Sequence, residues 1–224
     1  AAWATVLAQG SSFIFGIYHL NRTHDVLKLN VKNLNFDRDI FKITVKLGLP
    51  SGVQQMLFSV GMMAIQTMVN SFGTDTVAGF GAAARVDSFA TMPMMNFGAA
   101  ISTFVGQNIG ANKPERVKKG YYATLAMSSI ICIVFGALMV LFSRPIIGFF
   151  STDQAVIEAG AAYLRIVPPF YLVLSTMFIT SSVVRGAGDA IFPMIASLFA
   201  LWLVRIPIAY ALMGKFGSNG IWFA

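Results

Sequence analysis

The sequence predicts an all-α polytopic membrane protein with six transmembrane helices and the start of a seventh. Of its 224 residues 56% are hydrophobic and 11% charged, and its mean hydropathy is +0.71. A soluble domain carries about a quarter charged residues to cover its surface. Apolar stretches of about 20 residues or more recur along the chain, the length that crosses roughly 30 Å of hydrocarbon at about 1.5 Å per residue. They are roughly two to three times as long as a spanning strand and lack its dyad alternation, so the spans are helical.

The elements follow in order. Residues 1–20 carry no Asp, Glu, Lys or Arg, and neither do residues 47–74, with Gly48 and Pro50 near their start. Residues 76–112 would extend about 55 Å as one straight helix, more than the hydrocarbon core, and must tilt, protrude or bend. Pro93, which removes a backbone hydrogen bond, is the expected bend. Residues 120–143, 159–184 (with Arg165 and Pro168-Pro169) and 190–213 (with Arg205 and Pro207) complete the six, and Gly220 to Ala224 opens the seventh. Ala1 lies within an apolar stretch, without an initiator Met or a basic leader, so the chain reads as cut at both ends.

The connections orient the spans. Residues 21–46 hold Arg22, Lys28, Lys32, Arg38, Lys42 and Lys46; residues 113–119 hold Lys113, Arg116, Lys118 and Lys119; the turn at 185–189 holds Arg185. These 11 basic residues lie on one side, against Arg144 and Lys215 on the other, which makes the basic loops cytoplasmic. Lys32 and Lys118 are then inside, Asp75 and Asp153 outside. The net charge of +7 is accordingly read as topology: the expected partner is the lipid bilayer, with no nucleic acid. A cytoplasmic loop also leaves the sequon at Asn21 unused.

Little here suggests catalysis. His19 and His24 sit at one helix end and in its loop, no HExxH, GxSxG or paired-acid pattern occurs, and Cys132 is the only cysteine. Neither a metal site nor an enzyme is expected. Polar residues within the spans say more. At about 100° per residue, Gln55, Ser59, Gln66 and Asn70 fall within about 60° of one another on the second span. Arg85, Phe89, Met92, Asn96, Thr103 and Gln107 share one face of the third, and the fifth offers Tyr171, Ser175, Phe178 and Ser182. Such groups either hydrogen-bond between helices or face a wet cavity, where interleaved Met and aromatic residues give a deformable lining. The substrate-cavity candidates are Gln55, Ser59, Gln66, Asn70, Met92, Asn96 and Ser175. The intramembrane charges are Arg85, Asp87, Arg165 and Arg205. Arg85 and Asp87 point about 200° apart and cannot pair along one helix face. Asp87 is the only carboxylate within a span and so the sole local candidate for coupling to a cation, but its place near the outer end of the span favours an interfacial structural role.

Several blocks resemble the carboxy-terminal half of the multidrug and toxic compound extrusion (MATE) family, its DinF-like branch in particular. They are Val105 to Arg116 (VGQNIGANKPER), Leu47-Gly48-Leu49-Pro50, Ala84-Arg85-Val86-Asp87 with Met92-Pro93, Arg185 to Asp189 (RGAGD) and Arg205-Ile206-Pro207. The resemblance implies helices 6 to 11 and the beginning of helix 12 of a twelve-helix, two-lobe transporter. Residues 1–20 would be the last helix of the amino-terminal lobe, 21–46 a cytoplasmic interlobe loop and 47–224 the carboxy-terminal lobe. It further implies cation-coupled efflux of small organic cations across the plasma (inner) membrane, by alternating access and with no cofactor. Two family positions that hold coupling carboxylates are occupied here by Phe58 and Leu174. DinF-like members place a key Asp on the first helix, so the coupling ion, proton or sodium, is expected to bind mainly in the missing lobe. A flippase for lipid-linked oligosaccharide or polysaccharide, and a non-transporting membrane scaffold, are the competing readings.

Overall fold

The computed structural model describes residues 2–23 and 36–224; His24, Lys28 and Lys32 lie outside the described residues. Every regular element among them is helical. The chain forms two compact units, Ala1–Ile43 and Thr44–Ala224. In the first, α1 (Ala2–Thr23) ends with Arg22 donating to the Tyr18 hydroxyl at 2.8 Å, a cation where the helix dipole favours one.

Helix α2 (Arg38–Asn70) begins nine residues before the expected span, so the connection from 21 does not run to 46. Asp37 explains the early start: its Oδ1 accepts from the Asp39 and Ile40 amides at 2.8 and 3.1 Å, satisfying donors that the first turn leaves free. Helix α3 (Thr74–Gly110) follows a turn in which Gly73 adopts φ 91°. It stays helical across Pro93, the expected bend. Beside the proline, the Asn96 side chain donates to the Met92 carbonyl at 3.1 Å.

Helix α4 (Pro114–Leu141) starts six residues before its predicted span, with Pro114 at the first helical position, where a missing N–H costs nothing. Arg116, Lys118 and Lys119 therefore ride on its first turns rather than in a loop. The short α5 (Ser143–Gly148) was not expected. Helix α6 (Gln154–Ile166) is capped by Asp153, whose Oδ1 accepts from the Ala155 amide at 2.8 Å. A 3₁₀ turn at Pro168–Phe170 joins α6 to α7 (Tyr171–Gly186), so the fifth span runs through the proline pair without ending there. Gly188, at φ 98°, makes the turn that lets Asp189 accept from the Ile191 and Phe192 amides at the start of the next helix.

The sixth span is composite. Helix α8 (Ile191–Leu198) passes through a π-helical segment, Phe199–Arg205, into α9 (Ile206–Phe216), and the chain continues to α10 (Asn219–Trp222). By length and apolarity the helices Pro114–Leu141, Gln154–Gly186 and Ile191–Phe216 can each cross a membrane. The amides in α2 and α3 make those helices less uniformly apolar.

Helix α3 lies at the middle of the second unit. Ala82, Ala83, Val86, Ala90 and Met94 pack with Cys132 and Met139 of α4, Ile147 of α5, Leu164 of α6 and Tyr171. Farther along, Ile101 and Val105 meet Ile179 of α7. A separate cluster ties Ile65 and Val69 of α2 to Ala209, Ile221 and Trp222. Small residues set the spacing: a Cβ on Gly79 would lie 2.7 Å from both the Gly160 nitrogen and the Val156 carbonyl oxygen, so α3 and α6 cross almost backbone to backbone.

Candidate functional site

The residues that pack α2 inward are Gly61, Ile65 and Val69, helped by Gln54. At about 100° per residue the Gln55–Asn70 stripe lies roughly a third of a turn away from them. Gln55, Ser59 and Asn70 are exposed and Gln66 half-buried. Local bonds satisfy part of the stripe: Gln66 Nε2 donates to Asn70 Oδ1 at 2.9 Å, and Ser59 Oγ to the Gln55 carbonyl at 2.9 Å. On α3 the same relation holds. Arg85, Met92, Asn96, Thr103 and Gln107 are exposed, on the side opposite Ala90, Met94 and Val105. No helix of the second unit seals either stripe.

Ser175 departs from the expectation. It is fully buried, and its hydroxyl lies 2.6 Å from that of Ser128, which is also buried, in the seam between α7 and α4. It belongs to helix packing and not to an open face.

The intramembrane charges separate. Arg85 points outward, whereas Asp87 turns inward and accepts a hydrogen bond from the Tyr171 hydroxyl. Tyr163 of α6 and Arg205, at the end of the π-helical segment, lie within electrostatic reach of Asp87. Arg165 Nε donates to Ser143 Oγ at 3.0 Å, and Arg144 pairs with Glu158 at 2.7 Å. Asp87 is the fourteenth of 37 residues in α3, about 8 Å from the helix midpoint on its Thr74 side. Tyr171 and Arg205 are likewise central in the helices Gln154–Gly186 and Ile191–Phe216.

A second polar cluster was missed. Gln54 Oε1 accepts from Arg185 Nη2 at 3.0 Å, while its Nε2 donates to Ser197 Oγ at 2.5 Å. Arg185 is therefore half-buried at the end of α7, and not a free loop charge. The adjacent Gln54-Gln55 pair was the available signal, since neighbouring helical positions face different ways and two amides must find two environments. The convergence on Asp87 had a fainter one: Tyr163, Tyr171 and Arg205 are polar-tipped residues inside apolar spans, and only tertiary packing brings them together.

A helical membrane-spanning unit with two uncovered polar stripes and a mid-span charge cluster has the architecture of a transporter lobe. The chain belongs to the MatE family, whose sequence profile matches residues 50–211. It is 33% identical over 221 residues to the probable multidrug resistance protein YpnP of Bacillus subtilis, covering 99% of this chain and 49% of that protein. The multidrug export protein MepA of Staphylococcus aureus is 20% identical over the same shares. The probable multidrug resistance protein NorM of Thermotoga maritima is 26% identical, over 81% of this chain and 39% of its own. Among solved structures, a MATE in the straight conformation superposes with a TM-score of 0.90 at 22% identity, over 99% of this chain and 51% of that one. An outward-facing multidrug resistance MATE transporter of the MOP superfamily does so at 0.89 and 22%, over 99% and 50%. The chain thus spans about half the length of the relatives it matches, and those likenesses carry the helical fold.

Proposed function

We propose that these residues form one lobe of a secondary active exporter that moves small, amphipathic organic cations across the plasma membrane by antiport with protons or sodium. Alternating exposure of a cavity between this lobe and a second one would carry the solute. The observation that carries the reading is the pair of stripes on α2 and α3. Gln55, Ser59 and Asn70 are exposed and Gln66 half-buried on one face of α2, joined on α3 by the exposed Met92 and Asn96. Exposing them to lipid would cost several kcal/mol in total, while facing water or substrate avoids that cost. Met62, Met92 and the aromatic residues beside them would give a lining able to accept varied ligands. The names of the relatives above agree with export of multiple drugs. The basic ends of the helices would face the cytoplasm.

The test is reconstitution of the full-length protein into vesicles with an imposed proton or sodium gradient. Ethidium movement that follows one of the gradients and collapses with it is expected. Accumulation indifferent to both gradients defeats the antiport reading, and movement of a lipid-linked sugar in place of ethidium would replace the cargo.

A further inference from the structure

Helix α2 is held in two different ways along its length. Gly61, Ile65 and Val69 are buried: Leu201 of the sixth span packs against Gly61, and Ile65 and Val69 join Ala209, Ile221 and Trp222. From Val45 to Val60 no residue is buried. Apolar packing therefore does little to fix which face of that half turns inward. What reaches across from it is one side chain. Gln54 Oε1 accepts from Arg185 Nη2 at 3.0 Å, and Gln54 Nε2 donates to Ser197 Oγ at 2.5 Å and towards the Pro193 carbonyl at 3.4 Å. Among the described residues these are the only hydrogen bonds from Val45–Val60 to another helix; Ser51 and Ser59 bond back to their own.

We propose that Gln54, clamped by Arg185 and Ser197, is the positioning residue that fixes the rotation of the Val45–Val60 half of α2, and with it the specificity of the face that Gln55 and Ser59 present. At about 100° per residue Gln54 falls within about 40° of Gly61 and Ile65, so it continues their inward face towards the start of the helix. Gln55 and Ser59 lie about 100° and 140° round from it. A Gln54 held against α7 and α8 therefore turns both to the open side. Gln66 and Asn70, at the other end of the stripe, are set by the burial of Ile65 and Val69 and need no clamp.

The clamp supplies direction more than strength. Arg185 is half-buried, yet it meets a neutral amide, and among the described residues no carboxylate lies within ion-pair distance of it. Its Nε is buried and bonds to nothing. Burying a cation that is only partly satisfied costs stability that one hydrogen bond does not recover. What the arrangement provides is geometry. The guanidinium offers its donors in a fixed plane, and an amide that accepts on one side and donates on the other meets both partners in one orientation only. The base of the clamp is firm, because the neighbouring Gly186 lies against the Ser102 backbone of α3. The specificity part of this inference rests on the exporter reading; the positioning of α2 does not.

The experiment uses full-length protein in vesicles and two readouts. The first is the rate at which an engineered cysteine reacts with a water-soluble thiol reagent. Gln54→Met, close in size and without hydrogen bonds, should slow Gln55→Cys at least about threefold as that thiol turns towards apolar surroundings, and change Gln66→Cys less than about 1.5-fold. Gln54→Glu, which keeps an acceptor for Arg185, should leave both near their starting rates. Ser197→Ala removes one partner with little change in packing and should slow Gln55→Cys in the same direction. The second readout is ethidium binding. Gln55→Leu should weaken it by a factor at least about threefold larger in the presence of Gln54 than in Gln54→Met, whereas Gln66→Leu should act alike in both. Unchanged Gln55→Cys rates in Gln54→Met and Ser197→Ala overturn the inference. So does equal slowing of Gln55→Cys and Gln66→Cys, the mark of general loosening. If the unmodified protein binds no ethidium, the exporter reading fails, and a selective change at Gln55→Cys still supports the positioning.

Discussion

Replacing Gly79 by Ala tests the α3–α6 crossing on which the second unit is built. The new Cβ would stand 2.7 Å from the Gly160 nitrogen, 2.7 Å from the Val156 carbonyl oxygen and 2.9 Å from the Ala159 Cβ. Two of these neighbours are backbone atoms, so no side-chain rotation relieves the clash and the helices must separate. Forcing an extra methyl into such a contact costs about 1–3 kcal/mol. The change also removes a helical glycine, which returns about 0.5–1 kcal/mol. Gly81→Ala, two residues along the same helix and with nothing within 4 Å of its added Cβ, returns that helical gain alone. The difference between the two variants therefore isolates the contact, and should be about 1–3 kcal/mol with Gly79→Ala the less stable. Denaturation of the purified full-length variants in detergent, followed by loss of the monodisperse peak, measures it. Equal stabilities within about 0.5 kcal/mol would mean that the helices do not meet this closely, and the reasoning would fall.

Further expectations concern the open faces, the seam and the topology. Gln66→Leu and Asn96→Leu should change the order of preference among transported cations more than they change the amount of folded protein; lost protein with unchanged selectivity would make these residues packing groups. Ser128→Ala should do the opposite, lowering stability by about 1–3 kcal/mol by leaving the buried Ser175 hydroxyl short of a partner, with selectivity intact, as thermal denaturation and a transport panel will show. A cysteine placed at Lys118 should resist an impermeant thiol reagent in intact cells while one at Asp153 reacts, and the reverse pattern would invert the proposed orientation.

Much of the architecture was legible because membrane helices must satisfy their own backbone, which leaves long apolar runs as an unmistakable record. What composition could not supply was the local chemistry of the ends. A single Asp37 starts α2 nine residues early and a single Pro114 starts α4 six residues early, in segments whose charge reads as loop. The π-helical segment is equally silent, since Phe199–Arg205 differs in no obvious way from an apolar α-helical run. For the site, periodicity separated exposed stripes from buried seams on α2 and α3, where long helices keep their phase. It misjudged Ser175, because a serine on a polar-looking face can find its partner on a neighbouring helix, here Ser128. The partners of Asp87 lie 76 or more residues away in sequence, and no one-dimensional pattern encodes that meeting.

The near-contact of the α3 and α6 backbones at Gly79 and Gly160 has a mechanical side. Long flexible side chains between two helices act as a soft layer that can deform while the helices stay in place. At this crossing there is no such layer: carbonyl and amide atoms of one helix rest against the other. Helix α3 also carries Met92 and Asn96 on its open face. A load applied there is passed to α6 with little loss, because close-packed backbone yields far less than a bed of side chains. The close approach therefore leaves α3 and α6 little room to move independently at this crossing.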